Sequence, residues 1–159
     1  MTMQPEFHVY DLGKVKASFL YIPITGGAAE SEFITIRREE KAFGVVVGND
    51  GTVVRYKTGM RSCVATISLL QGSRMNAVFS AIHAADVASD NGVGIGPFTL
   101  ADLNDASLIE APHAWLMSTP DEMKFNAKPE TRAWEIYVAD PQIYNVGANI
   151  VLPFAPIAP

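Results

Sequence analysis

Few residues in this chain are of the kinds that do chemistry, and fewer are spaced to do it. The three histidines, His8, His83 and His113, lie far apart and none sits in a catalytic motif. His83 and Asp86 stand at i, i+3 on one predicted helix, a spacing that could supply half of a metal site. No second pair completes the set, and a solvated helix face is the plainer reading. Cys63 is the sole cysteine, mid-strand beside Val64 and Ala65. It reads as a buried, inert thiol, and it leaves no intrachain disulfide and no Cys-based zinc site. Gly92, Gly94 and Gly96 imitate a nucleotide loop. They follow a helix and precede a strand, the reverse of the dinucleotide arrangement, and no Gly-Lys-Ser/Thr follows. They read as a hinge or connector. Glu39-Glu40 and Asp121-Glu122 are carboxylate pairs in or near loops. Paired catalytic acids need defined, opposed positions, and nothing here fixes one. The expectation is therefore no catalytic, cofactor-binding or metal-binding residue, and no enzyme.

The elements tell more. From Phe33 to Gln71 the chain reads as strand, strand, turn, strand, strand. Ile34 and Ile36 alternate with Thr35 and Arg37, the period-2 signature of a half-buried strand. Phe43 to Gly48 is β-rich, and Asn49-Asp50-Gly51 supplies a tight-turn signal. Thr52 to Lys57 is the return strand. Arg61 to Gln71 places Cys63, Ala65, Ile67 and Leu69 on one side and Ser62, Val64, Thr66 and Ser68 on the other. The hairpin around Asp50-Gly51 carries more Val and Tyr than a lone two-stranded arm keeps stable in water. Something must cover it.

Around this stretch, Val15 to Ile24 reads as one strand, with Ala17, Phe19 and Tyr21 facing one way and Pro23 marking an edge. Thr25 to Glu32 is a turn-rich loop. Ser73 is a good N-cap, and Arg74 to Ser89 is the one convincing helix, with Met75, Val78, Phe79, Ile82 and Ala85 as its apolar stripe. Gly92 to Pro97 reads as a connector. Phe98–Leu103 and Ser107–Met117 are antiparallel partners. Thr131–Ala139 is the last strand, with Trp134, Ile136 and Val138 inward and Ala133, Glu135 and Tyr137 opposite. Residues 1–9 form an N-terminal arm and 141–159 a Pro-rich, extended C-terminal tail. The chain thus reads as one domain, mainly β: an antiparallel sandwich or barrel of seven or eight strands with one flanking helix.

The totals narrow the function. With 159 residues the chain has a single-domain length. Only 18% of residues are charged, against roughly 25% in ordinary domains, which favours a subunit of an assembly. A net charge of −5 disfavours phosphate-backbone binding as the main task. The N-terminal residues carry no signal-peptide pattern and no apolar run is long enough to span a bilayer, so a soluble chain made in a reducing compartment is expected, with no membrane partner.

An ordered set of short pieces is similar to contractile-tail bacteriophage tail tube proteins, a family first catalogued as a virion structural protein of unknown function. The pieces are Tyr10-Asp11, Phe33 to Ile36 with Arg38 and the run Glu39 to Phe43, and Gly48 to Gly51 with Arg55. Thr66 to Gln71 with Ser73 and Asn76 follow, then the helix. Gly96-Pro97-Phe98, Asp102 to Asn104, Ala114-Trp115 with Pro120 and Phe125, and Arg132 to Glu135 complete it. The resemblance spans Tyr10 to Val138. It implies a tail tube fold, hexameric rings stacked into a hollow tube, and a hairpin reaching the adjacent ring. Sheath, baseplate or initiator and terminator proteins are then the partners. Phage DNA passes through the lumen unbound, and the protein resides in the virion tail after assembly in the host cytoplasm.

On that footing, Arg37, Arg38, Glu39, Glu40, Phe43, Val45, Val46, Val47, Asn49, Asp50, Val53, Arg55 and Tyr56 are the expected inter-ring and intersubunit contacts. The run Arg37 to Lys41 alone is also compatible with a solvated strand end. Ser62, Thr66, Ser68, Glu135 and Tyr137 are expected to line the lumen. The alternatives are a tube subunit of a related contractile injection system, or a small β-barrel module holding an apolar ligand against Trp115 and Trp134.

Overall fold

The computed structural model describes residues 9–27, 33–104 and 107–144. His8 and most of the expected N-terminal arm, part of the 25–32 loop, and 145–159 of the C-terminal tail lie outside the described residues. The elements in chain order are β1 (Val15–Phe19), β2 (Ile22–Pro23), β3 (Ile34–Arg38), β4 (Phe43–Val47), β5 (Val53–Lys57) and β6 (Cys63–Leu70). Then come α1 (Arg74–Ala88), β7 (Gly96–Asp102), β8 (Ser107–Ser118), β9 (Thr131–Ala139) and β10 (Gln142–Tyr144). The protein is mainly β, with antiparallel pairing and one helix, as its alternation requires.

The large sheet runs β2-β1-β7-β8-β9-β6-β3, with β10 on β8. It curls back on itself. β6 takes β3 along Cys63 to Ile67, and Gly27, just beyond β2, bridges Leu69 on β6. Leu70 donates its N–H to the Gly26 carbonyl at 3.1 Å. The inward residues of β6, β9 and β7 fill the resulting barrel: Cys63, Ala65, Ile67, Leu69, Trp134, Ile136, Val138 and Phe98 are all buried. α1 seats Met75 and Phe79 in this core. Phe79 meets Phe19 and Trp134 edge-on, with centroids 6.3 and 5.6 Å apart. Ser73 caps the helix, its hydroxyl accepting from the Met75 N–H at 3.3 Å. Asn76 accepts from the Trp134 indole at 2.9 Å and donates to the Leu70 carbonyl at 2.8 Å. It thereby ties helix, strand and turn together.

The chain departs from the sequence reading at several elements. Val15 to Ile24 is a hairpin, because Leu20 and Tyr21 take left-handed φ of 51° and 63°. Tyr21 consequently points to solvent, and only Ala17 and Phe19 face inward. No Gly, Asn or Asp announces that turn; Leu20 is held by packing over Gly96. Pro23 does lie in the edge strand. Gly96 and Pro97 belong to β7 and carry its bulge, where the register shifts between Gly96 and Phe98. α1 ends at Ala88, capped by Ser89, and Ala85 is exposed. β9 is followed by β10, which pairs with β8 through Ile143 and Ile109 after Asp140 turns the chain at φ 47°. Ten strands are therefore described where seven or eight were expected. Val64, placed on the polar side, is buried beside Tyr137, its cross-strand partner.

Candidate functional site, an uncovered β arm

β4 and β5 form a two-stranded sheet of their own, and none of their residues enters the core. Each strand has five residues, so the arm is about 17 Å long. Sequence chemistry builds it. The turn Gly48–Thr52 closes with Gly51 N–H to Gly48 carbonyl at 3.0 Å and Gly48 N–H to Thr52 carbonyl at 2.7 Å. Only Gly51 takes positive φ, 88°, as a three-residue hairpin turn demands. Asp50 stays outside that region, and its Oδ1 accepts the Thr52 N–H at 3.0 Å. That bond holds its carboxyl below the usual range. Gly44 has a different reason: a Cβ there would sit 2.2 Å from the Tyr56 ring, so its absence lets the ring lie across the arm. Arg55 stands 4.6 Å over the Phe43 ring. At the base, Thr58 donates to the Lys41 and Ala42 carbonyls.

The sequence pattern promised an apolar arm without cover, and among the described residues none covers it. Phe43, Val45, Val46, Val47, Val53, Val54 and Tyr56 are all exposed, between 45% and 65%. Both faces are apolar, because Val46 and Val54 pair on one face while Val47 and Val53 pair on the other. Burying a Val fully is worth about 1.5 kcal/mol or more, so this surface is a large unspent driving force for association. Arg37, Arg38, Glu39 and Glu40 are exposed at the arm's base. Glu39 accepts from Ser62 at 3.2 Å, and Arg61 lies 3.8 Å from Asp140.

Of the five residues expected to line a lumen, Thr66 and Ser68 lie on the outward face of β6 and Glu135 and Tyr137 on that of β9, while Ser62 precedes β6. Thr66 pairs with Glu135 and Ser68 with Ala133. Trp115 stacks on Tyr137 with centroids 4.9 Å apart. That stack places Trp115 on the outward face, whereas Trp134 is in the core. The two tryptophans therefore lie on opposite sides of one sheet and cannot clasp one ligand, which removes the geometry of the ligand-module alternative.

The remaining chemical candidates have structural roles. Asp86 accepts the Gly94 N–H at 3.1 Å and closes the turn after α1. Burial pushes the Cys63 thiol up. Glu122 pairs with Lys124 at 3.5 Å on the surface. Among the described residues no group of three or more His, Cys, Asp or Glu could hold a metal ion. Sequence reasoning missed the knot between Asp11 and Asn104, whose backbone and side chains exchange bonds of 3.0 and 2.9 Å. It also missed Arg132, a buried guanidinium on the inward register of β9.

A barrel with a helix in its flank and an uncovered apolar arm is what the described residues build. The chain belongs to the Bacteriophage PhiTE tail tube protein family, whose model matches residues 17–145. It is 26% identical over 127 residues, 80% of this chain and 73% of the relative, to structural protein ORF10 of Pseudomonas phage KPP10. In fold it is similar to the tube-terminating cap of the anti-feeding prophage, with TM-score 0.57 and 9% identity over 92% of this chain and 97% of that one. A chain of the sheath–tube complex of an extracellular contractile injection system, PVC, matches with TM-score 0.56 and 12% identity, over 86% and 91% of the two chains. The sheath/tube terminator of the same system gives 0.56 and 13%, over 87% and 98%. The chain is thus a tail tube family protein and a virion component.

Proposed function

We propose that this chain is the repeating subunit of the inner tail tube of a contractile-tailed phage. Hexameric rings of it stack into a conduit for the ejected genome, assembled in the host cytoplasm with sheath, baseplate and terminator as neighbours. One observation carries the reading: a 17 Å arm, apolar on both faces, that its own barrel leaves uncovered. Stacked copies bury it, and lateral neighbours extend the sheet margins that would otherwise template aggregation. The polar outward residues Thr66, Ser68 and Glu135 suit a wall facing water. The acidic balance of the chain suits a conduit that lets a polyanion slide rather than bind.

Electron microscopy of the concentrated protein, or of the particle that contains it, is the test. Rings or tubes are expected. A chain that stays monomeric at high concentration and is missing from particles overturns the reading.

A further inference from the structure

The arm leaves the body at one pole, and two hollows lie at the other. Arg38 and Cys63, where the arm joins, are partners at one end of β6. Leu70, at the other end, pairs with Thr131 of β9, about 23 Å along the strand. At that far pole the 119–130 loop passes beside the first residues of β9. β8 ends opposite Glu135, so β9 runs on past it.

Two hollows flank this loop. On the helix side is a groove of about 430 Å³ lined by Asn76, Pro120, Met123, Phe125, Arg132 and Trp134. Met123 and Phe125 stand exposed on its rim, 56% and 77%. Its floor holds Arg132, only 6% exposed. That guanidinium lies 5.1 Å from the Phe125 ring. Its hydrogen bonds go to the Lys124 and Thr131 carbonyls, at 3.4 Å, and no carboxylate pairs with it among the described residues. A buried guanidinium held so loosely has donors to spare. On the other side is a hollow where Asp121, Glu122, Glu130 and Glu135 meet one cation, Lys124.

The arm has the matching chemistry. The arm itself carries Arg55 and Lys57 against one acid, Asp50, and Arg37, Arg38, Lys41 and Arg61 flank its base beside Glu39 and Glu40, in a chain whose net charge is −5. Its faces are valine, phenylalanine and tyrosine. Its tip carries the Asp50 carboxylate, and its outer strand edges carry backbone carbonyls.

We propose that the groove over Arg132 and Trp134, with the acidic hollow beside it, receives the β4–β5 arm of a second copy of this chain. This rests on the stacked-tube reading and names the surface that completes it. Met123 and Phe125 cover the arm's valines, the acidic hollow takes its basic edge, and Arg132 takes a carbonyl or carboxylate from it. Arm and receptor sit at opposite poles, so the contact is heterologous and propagates into a filament instead of closing as a dimer.

Complementation tests it with full-length chains. An arm variant, Val46→Asp with Val47→Asp, and a groove variant, Met123→Asp with Phe125→Asp, change only exposed side chains. Each alone is expected to need at least about tenfold more protein to assemble, the loss of one or two buried side chains. Mixed, the two variants join through one arm–groove contact and stack no further, because the groove variant keeps a working arm and the arm variant a working groove. A Val46→Cys, Phe125→Cys chain gives a disulfide-linked ladder on a non-reducing gel. Groove variants that build tubes at the parental concentration, a mixture that stays monomeric, or tubes without a ladder overturn the receptor and leave the tube reading standing. Failure of the unmodified chain to form any assembly overturns both.

Discussion

β6 and the β4–β5 arm are made of the same residue types and meet opposite fates. In β6, Val64 is 3% exposed and Ile67 fully buried; in the arm, Val53 is 65% exposed. β6 has β3 on one edge, β9 on the other, and the core against one face. The arm has one strand partner, no helix, and solvent on both faces. The difference teaches where each part finds its stability. The barrel fills its core within one chain. On the proposed reading the arm buries its apolar surface only when another copy arrives, so substitutions in the two regions should be read by different assays.

The largest effect sits in the barrel. Trp134→Ala removes the ring that Phe79 and Asn76 both contact, and urea denaturation should show a loss of about 3–5 kcal/mol. Asn76→Ala comes next. It strands the Trp134 indole N–H and leaves the Leu70 carbonyl with only the Ser73 N–H, for about 1–3 kcal/mol by the same measurement. Ser73→Ala should cost about 1 kcal/mol through the lost cap. Val46→Asp with Val47→Asp is the smallest on this scale, within about 0.5 kcal/mol, yet it should abolish tubes in electron micrographs. A large stability loss from that arm pair, or normal tubes with it, would erase the contrast between the two regions.

Period-2 alternation made β3, β6 and β9 readable, because one face of each is buried and the other wet. Ser73 and the Met75–Phe79 spacing made α1 readable, although its outer face is largely alanine. The turn at Leu20-Tyr21 was hidden, since tertiary packing over Gly96 imposes a backbone that neither residue favours. β10 was hidden because three residues carry too little pattern. The arm was legible as a surface in need of cover. Its receptor was not, because the 119–130 loop has no period and gathers its hollows only when β8 and β9 pair. One clue was available: Arg132 falls in register with Trp134, Ile136 and Val138, and a cation on an inward register asks for an explanation.

Hydrogen exchange of the β4–β5 amides, read in dilute subunit and in assembled protein, tests the central claim most directly. Amides of β6 and β9 should be protected in both. Those of Val45 to Val47 and Val53 to Arg55 should exchange within seconds in the dilute subunit and become protected by orders of magnitude on assembly. Arm amides equally protected in the isolated subunit, or unchanged by assembly, would contradict the account.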